Sequence, residues 1–266
     1  MFGTQHSDDL DLAQLFYANY CEMWRAVGAL SSERAVFEVE QRRDMLLVRS
    51  VLARRIPHMV LDPLPDHRNP AYWVDRMVSE LSPDPHSIMV AVPPGEERTD
   101  LVKVLLAEGF RQASRPMTAM ARVDLRVRVC EDHDPAIRIA SPGQQLEAAR
   151  QVLGRVFGLP DAVFAFYTPA PPVSTYIALL RGVIVGTLCL CPFAGTVGVY
   201  SVAVVPEQRR RGIARRLMDR ALSDAAAAGY DTAVLSCDRS LVGYYRDQGF
   251  LPRWTLMSCW LDAWWR

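Results

Sequence analysis

The chain has 266 residues, half of them apolar and 23% charged, which allows a sizeable core in one large domain or two small ones. Lysine plus arginine and aspartate plus glutamate balance at 30 each, so nothing global points to nucleic acid or an acidic partner. No basic stretch leads into an apolar run at the N-terminus, and the most apolar runs are only strand-length. Neither a signal peptide nor a membrane contact is expected, and the chain is expected in the cytoplasm.

Six cysteines occur, none in a Cys-x-x-Cys pair, and four lie in apolar runs. They are expected to be reduced core thiols, with no metal bound.

In chain order, apolar residues from Leu10 to about Arg55 recur at helical spacing. One stripe runs through Leu12, Leu15, Phe16, Met23 and Val27, and a second through Val36, Val39, Met45 and Val48. His58–Leu64 reads as a short strand, and Pro70–Leu81 as a helix capped by Asn69. Ser87–Val92 is a strand broken by Pro93-Pro94-Gly95, Asp100–Glu108 is a helix closed by Gly109, and Pro116–Leu125 is strand-like. The polar run 130–135 is expected to be a linker between domains 1–130 and 136–266.

Beyond it, Ile137–Ala140 is a strand and Gly143 to about Phe157 a helix, followed by a proline-bearing loop over 158–172. Thr175–Leu180 and Val183–Cys191 form two strands joined by Arg181-Gly182, and Thr196–Val205 forms a third. A long helix, Arg211–Ala228, ends at Gly229. A buried strand (Thr232–Ser236), a short helix (Ser240–Gln248) and a closing strand (Phe250–Leu261) complete the order. Such an order predicts an α/β (α+β) chain with a mixed sheet flanked by helices.

The segment most legible as chemistry is Tyr200-Ser-Val-Ala-Val-Val-Pro-Glu-Gln-Arg-Arg-Arg-Gly-Ile-Ala214. A strand enters a tight turn and then a helix N-terminus, so unpaired N–H groups and the positive end of the helix dipole converge. Gly212 permits close backbone approach, Ala214 is small, and Arg209, Arg210 and Arg211 add positive charge. The combination describes a pyrophosphate cradle.

Arg209-x-x-Gly212-x-Ala214 after Val202-Ala203-Val204 resembles the acyl-CoA-binding motif of the GNAT acetyltransferase superfamily. Tyr244-Tyr245-Arg-Asp-Gln-Gly249-Phe250 is similar to that family's Tyr-x-x-x-Gly-Phe ending. The resemblance covers about Ala136 to the C-terminus and implies acetyl-CoA, or another acyl-CoA, as co-substrate. It implies that Val202, Ala203 and Val204 line the pantetheine arm. It implies that Arg209, Arg210, Arg211, Gly212, Ile213, Ala214 and Arg215 surround the pyrophosphate, and that Tyr245 protonates the leaving thiolate.

This sequence departs from the family where many members carry a carboxylate base on the third strand: Tyr200 stands there, followed by Ser201. No histidine occurs from Asp134 onward, so Asp161 and Asp238 are the nearby carboxylates. Asp238 and Tyr200 join Tyr245 as candidate catalytic groups. Asp161, Phe166 and Tyr167, in the 158–172 loop, are the candidate acceptor-binding residues.

The first half echoes the second. Val104–Gly109-Phe110 followed by Pro116–Met120 parallels Tyr244–Gly249-Phe250 followed by Trp254–Met257. Set on Gly-Phe, Leu105 falls where Tyr245 falls, and no Arg-x-x-Gly-x-Ala turn precedes Ser87–Val92. Two GNAT-like domains are therefore expected, each a mixed, mostly antiparallel twisted sheet, the first without cofactor groups. The expected activity is N-acylation of a small-molecule or peptide amine by a monomer or homodimer. Its alternatives are an acyl-CoA sensor without turnover and acyl transfer from a carrier protein.

Overall fold

A computed structural model describes residues 4–29, 36–51, 56–64, 69–84, 86–95, 99–125, 134, 136–164 and 173–262. They fall into two compact units, neither contiguous in sequence. The first comprises Met1–Ala119, Cys237–Val242 and Pro252–Arg266; the second comprises Met120–Ser236 and Gly243–Leu251. This differs from the division at 130–136 expected from the sequence, because the closing strands do not stay with the halves that encode them.

In the first unit, helix α1 (Thr4–Ala29) precedes strands β1 (Phe37–Gln41), β2 (Leu46–Ser50) and β3 (His58–Leu61), which pair antiparallel in that order. Helix α2 (Pro70–Leu81) crosses to β4 (Ile88–Val92), parallel to β3. Asn69 caps α2 as expected, its side chain accepting from the Tyr72 N–H at 3.1 Å. Helix α3 (Thr99–Ala107) and the short strand β5 (Arg111–Gln112) follow. The last strand of the chain, β12 (Leu251–Leu261), pairs antiparallel with β4 and with β5. Leu47, Val60 and Val90 pack with Trp73, Val74, Met77 and Leu81 of α2 and with Leu101 and Leu105 of α3.

The second helical stripe expected over Val36–Val48 is instead the β1–β2 hairpin. Its turn is made of charged residues, with the Arg42 N–H donating to the Met45 carbonyl at 2.8 Å, so no glycine or proline marks it. Strand β2 is buried on nearly every residue, which removes the two-residue alternation that betrays a strand.

The second unit has strand order β6-β11-β10-β9-β8-β7. Strand β6 (Met117–Arg122) contributes Met120–Arg122. Strand β7 (Ile137–Ile139), helix α4 (Gln144–Phe157), β8 (Ser174–Leu180), β9 (Val183–Phe193), β10 (Thr196–Val204), helix α5 (Ile213–Ala227), β11 (Ala233–Cys237) and helix α6 (Val242–Arg246) complete the series. Strands β7 to β10 pair antiparallel in succession, and β10 runs parallel to β11. Helix α5 buries Ile213, Leu217, Met218, Ala221, Leu222 and Ala225, one face at helical spacing. Both units are thus mixed, mostly antiparallel sheets with helices, as expected.

The chain order α1-β1-β2-β3-α2-β4-α3-β6 repeats as α4-β8-β9-β10-α5-β11-α6-β12, with the same antiparallel and parallel pairings at corresponding places. The Gly-Phe turns also match. Gly109 and Gly249 have φ of 87° and 85°. The Phe110 N–H donates to the Leu105 carbonyl and the Phe250 N–H to the Tyr245 carbonyl, both at 3.0 Å.

Candidate functional site

The site begins with an irregularity in β10. Between Tyr200, opposite Cys189, and Ala203, opposite Thr187, β10 advances three residues while β9 advances two. This bulge carries Ser201 at φ 52°, in the left-handed region that favours glycine. On its other side β10 is joined to β11 only at Val197–Ala233 and Gly198–Val234. The strands run on to Val204 and Cys237 without further ladder, so a parallel pair opens into a wedge with half-buried Val202 on one arm. By contrast, β3 of the first unit pairs with β4 at 58–88, 59–89 and 60–90 and ends one residue later, at Leu61.

Beyond β10 the chain makes a single 3-10 turn over Pro206–Gln208, then reverses through Arg210 (φ 61°) and Gly212 (φ 74°) into α5. Gly212 is the N-cap of α5 and offers no side chain to satisfy the helix start. The Arg216 N–H reaches the Gly212 carbonyl at 3.0 Å. The four preceding N–H groups, on Gly212, Ile213, Ala214 and Arg215, have no intrahelical carbonyl to meet. A Cβ on Gly212 would have nothing within 4 Å, so the turn itself borders open space.

Arg209, Arg210, Arg211 and Arg215 are all exposed around this point. Glu207, the one carboxylate between Val205 and Arg216, is engaged by Arg155 at 2.6 Å. The local field is therefore positive in a chain of zero net charge. Arg209 turns back, its Nε donating to the Val204 carbonyl at 3.1 Å, and fastens the loop to the end of β10. Gly186 of β9 seats the helix. A Cβ there would lie 3.1 Å from the Ala203 carbonyl oxygen, 3.2 Å from Ile213 Cγ2 and 3.3 Å from Leu217 Cδ1. Nothing in the sequence marks Ser201 as a bulge, whereas a lone glycine in an otherwise apolar strand is the signal available for Gly186.

Tyr245 sits on α6 after β11 and is buried at 7% exposure. Its ring meets Tyr244 edge-on at 5.0 Å and Phe250 at 6.1 Å. Its carbonyl accepts from both Gln248 and Phe250 N–H groups, which fixes its backbone. Tyr200 lies on the same unit, half-buried at the edge of the bulge.

Asp238 belongs to the other compact unit, and its carboxylate accepts from Ser240 N–H at 2.8 Å and Ser240 Oγ at 2.7 Å. Those bonds hold it below the usual carboxylate range, which weakens it as a base. Asp161 heads a 3-10 turn after α4 and lies over Gly154, where a Cβ would fall 1.9 Å from its Oδ1. Phe166 and Tyr167 lie outside the described residues. Burial and the neighbouring Asp238 push the Cys237 thiol up to about 11, and burial raises Cys189 well above its usual value, so neither is a ready nucleophile. Among the described residues, no helix is long and apolar enough to cross a membrane and no group of three ligand residues gathers for a metal.

A wedge between parallel strands followed by a helix start with free donors fits a long, thin ligand that ends in phosphates. That is the architecture of an acyl-CoA-dependent transferase. Residues 147–250 match the model of the acetyltransferase (GNAT) family. No curated protein matches the chain. A GCN5-related N-acetyltransferase from Kribbella flavida superposes with TM-score 0.65 at 17% identity, over 93% of each chain. One from Sphaerobacter thermophilus gives 0.60 at 17%, over 84% of this chain and 82% of that one. A tandem GNAT protein from the clavulanic acid biosynthesis pathway gives 0.61 at 10%, over 93% and 95%. The segment 147–250 thus resembles the acetyltransferase (GNAT) family in sequence, and the chain shares the fold of these structures.

Proposed function

We propose that the chain transfers an acetyl group from acetyl-CoA to an amine, by direct attack of the amine on the thioester. The observation that carries this reading is the pairing of the β10–β11 wedge with the donor-lined start of α5. Backbone groups of Val202 and its neighbours would hold the pantetheine amides. The Gly212–Arg215 N–H groups and the surrounding arginines would hold the pyrophosphate. Tyr245 would donate its phenolic proton to the departing thiolate, a phenol being a proton donor at neutral pH. With Asp238 tied to Ser240, the attacking amine would lose its proton to water, and no side chain is assigned as base. The raised thiol pKa values favour direct attack over a cysteine-bound intermediate.

The first unit would be a degenerate copy that takes no acyl-CoA: β3 ends at Leu61, one residue past its last pair with β4, where β10 runs six residues past its own to Val204, and Leu105 stands in place of Tyr245. One acyl-CoA per chain is therefore expected. The acceptor would be a small-molecule or peptide amine, and a cytoplasmic monomer or homodimer is the working form. Calorimetric titration with acetyl-CoA tests the reading. Binding should be micromolar at one site and lost in Gly212→Glu, which places a carboxylate before the orphan donors. A wild-type chain that ignores acetyl-CoA would overturn it. Tyr245→Phe divides catalyst from sensor: turnover should fall about 100-fold while acetyl-CoA affinity is kept.

A further inference from the structure

Helix α6 is five residues long, too short to hold its own shape, yet it carries the proposed acid Tyr245. What holds its C-terminal end comes from the first half of the sequence. Arg122, at the end of β6, donates from Nη1 to the Gln248 carbonyl at 3.1 Å. A Cβ on Gly249 would sit 3.4 Å from Arg122 Cδ and Nε, so the guanidinium arm lies across the bare face of that glycine. Gln248 is the residue whose N–H, with that of Phe250, is bonded to the Tyr245 carbonyl. A cation at this end of the helix also meets the partial negative charge of its last carbonyls.

The duplication makes the contact specific. Arg122 stands twelve residues after Phe110, and Asp262 stands twelve after Phe250. Asp262 instead pairs with the side chain of Arg111, the residue after Phe110. The offset in sequence is shared and the charge is reversed: a carboxylate cannot donate to a helix carbonyl. The copy with the cradle and Tyr245 has the cation; the copy with Leu105 has the anion.

We infer that Arg122 is a positioning residue for acyl transfer, holding the Gln248–Phe250 turn so that Tyr245 is kept in one orientation. The inference rests on the reading of Tyr245 as the thiolate acid. Its action is local to α6, leaving the cradle on α5 untouched.

A double-mutant cycle tests it, following thiol release from acetyl-CoA with phenethylamine as acceptor, alongside hydrogen exchange of the Gln248 and Phe250 amides. R122M should lower kcat about 10-fold with the KM for acetyl-CoA unchanged within about twofold, and R122K should recover most of the loss. Combined with Tyr245→Phe, R122M should cost little beyond the single variant, because both act through one group. Both amides should exchange about 10-fold faster in R122M while global melting stays cooperative. Unchanged exchange in R122M would overturn the inference whatever the turnover. So would wild-type kcat in R122M beside a slow Tyr245→Phe, which leaves the acid reading standing. Losses that simply multiply would mean a general structural role. A fully active Tyr245→Phe would remove the acid reading and Arg122's role together.

Discussion

Gly186→Ala is the substitution whose consequences the packing determines most closely. In a strand, alanine is favoured over glycine by about 0.5–1 kcal/mol, so propensity alone predicts a gain. The added methyl, however, meets three atoms at 3.1, 3.2 and 3.3 Å. The first is the Ala203 carbonyl oxygen, held in the β9–β10 ladder beyond the bulge, and it has little room to retreat. The other two belong to Ile213 and Leu217, the first residue and the second turn of α5, so the helix must yield. Overpacking of this kind costs about 1–3 kcal/mol, leaving a net loss of about 1–2 kcal/mol after the propensity gain. A melting temperature lower by about 3–8 °C is expected for a unit of this size. Because Ile213 is also the first cradle residue, a shift of α5 should weaken acetyl-CoA binding about 5- to 10-fold, with a smaller change in kcat. Differential scanning calorimetry and isothermal titration read the two effects separately. A variant as stable as wild type with unchanged affinity would refute the claim that Gly186 sets the height of α5.

Three further outcomes are expected. Burial, and after it the neighbouring His86, depresses the His58 pKa against the opposing pull of Asp84, while its Nδ1 accepts the Ser50 N–H at 3.1 Å. The unfolded chain therefore binds more protons, and His58 contributes stability above an unfolded value of about 6.5 that is lost as pH falls below it. Melting of the first unit should drop between pH 7 and pH 5, and His58→Gln should flatten that slope. Asp238→Asn keeps an acceptor for Ser240 but removes a proton acceptor, so kcat against pH should be unchanged; a large fall would make Asp238 the base after all. Tyr176 is buried and donates to Asp224 Oδ2 at 2.9 Å, and Arg220 Nε reaches both Asp224 oxygens at 3.0 Å. Tyr176→Phe should cost about 1–2 kcal/mol in urea unfolding, with Arg220 still satisfying the carboxylate.

The cradle was legible because it is local. Strand end, turn, Gly212 and the apolar face of α5 lie in one unbroken stretch, and each follows from nearest neighbours and backbone preference. The same holds for α2, announced by Asn69-Pro70, and for the Arg181-Gly182 hairpin, where both residues take positive φ. Legibility failed at Val36–Val48, where a hairpin with one buried strand and a charged turn mimics helical spacing. It failed again wherever the informative partner is remote. The bond from Arg122 to Gln248 spans 126 positions, and no periodicity or cap marks either residue for the other. Asp238 shows the reverse case: its place after a buried strand advertised chemistry, while its hydrogen bonds to Ser240 are those of a turn.

The placement of β12 beside β4 also governs how the molecule can be made. Strand β4 ends at Val92, and its partner begins at Leu251. About 160 residues separate them, which a ribosome adding roughly 5–20 residues per second takes on the order of ten seconds to half a minute to supply. Through that interval the first sheet has an open edge of Ile88–Val92, an apolar strand with unpaired backbone groups. The nascent chain must either shield that edge or lend it β6 and later give β6 up to β11. The first sheet is not finished until β12 has left the exit tunnel, so a chain stopped short of residue 251 leaves that sheet open.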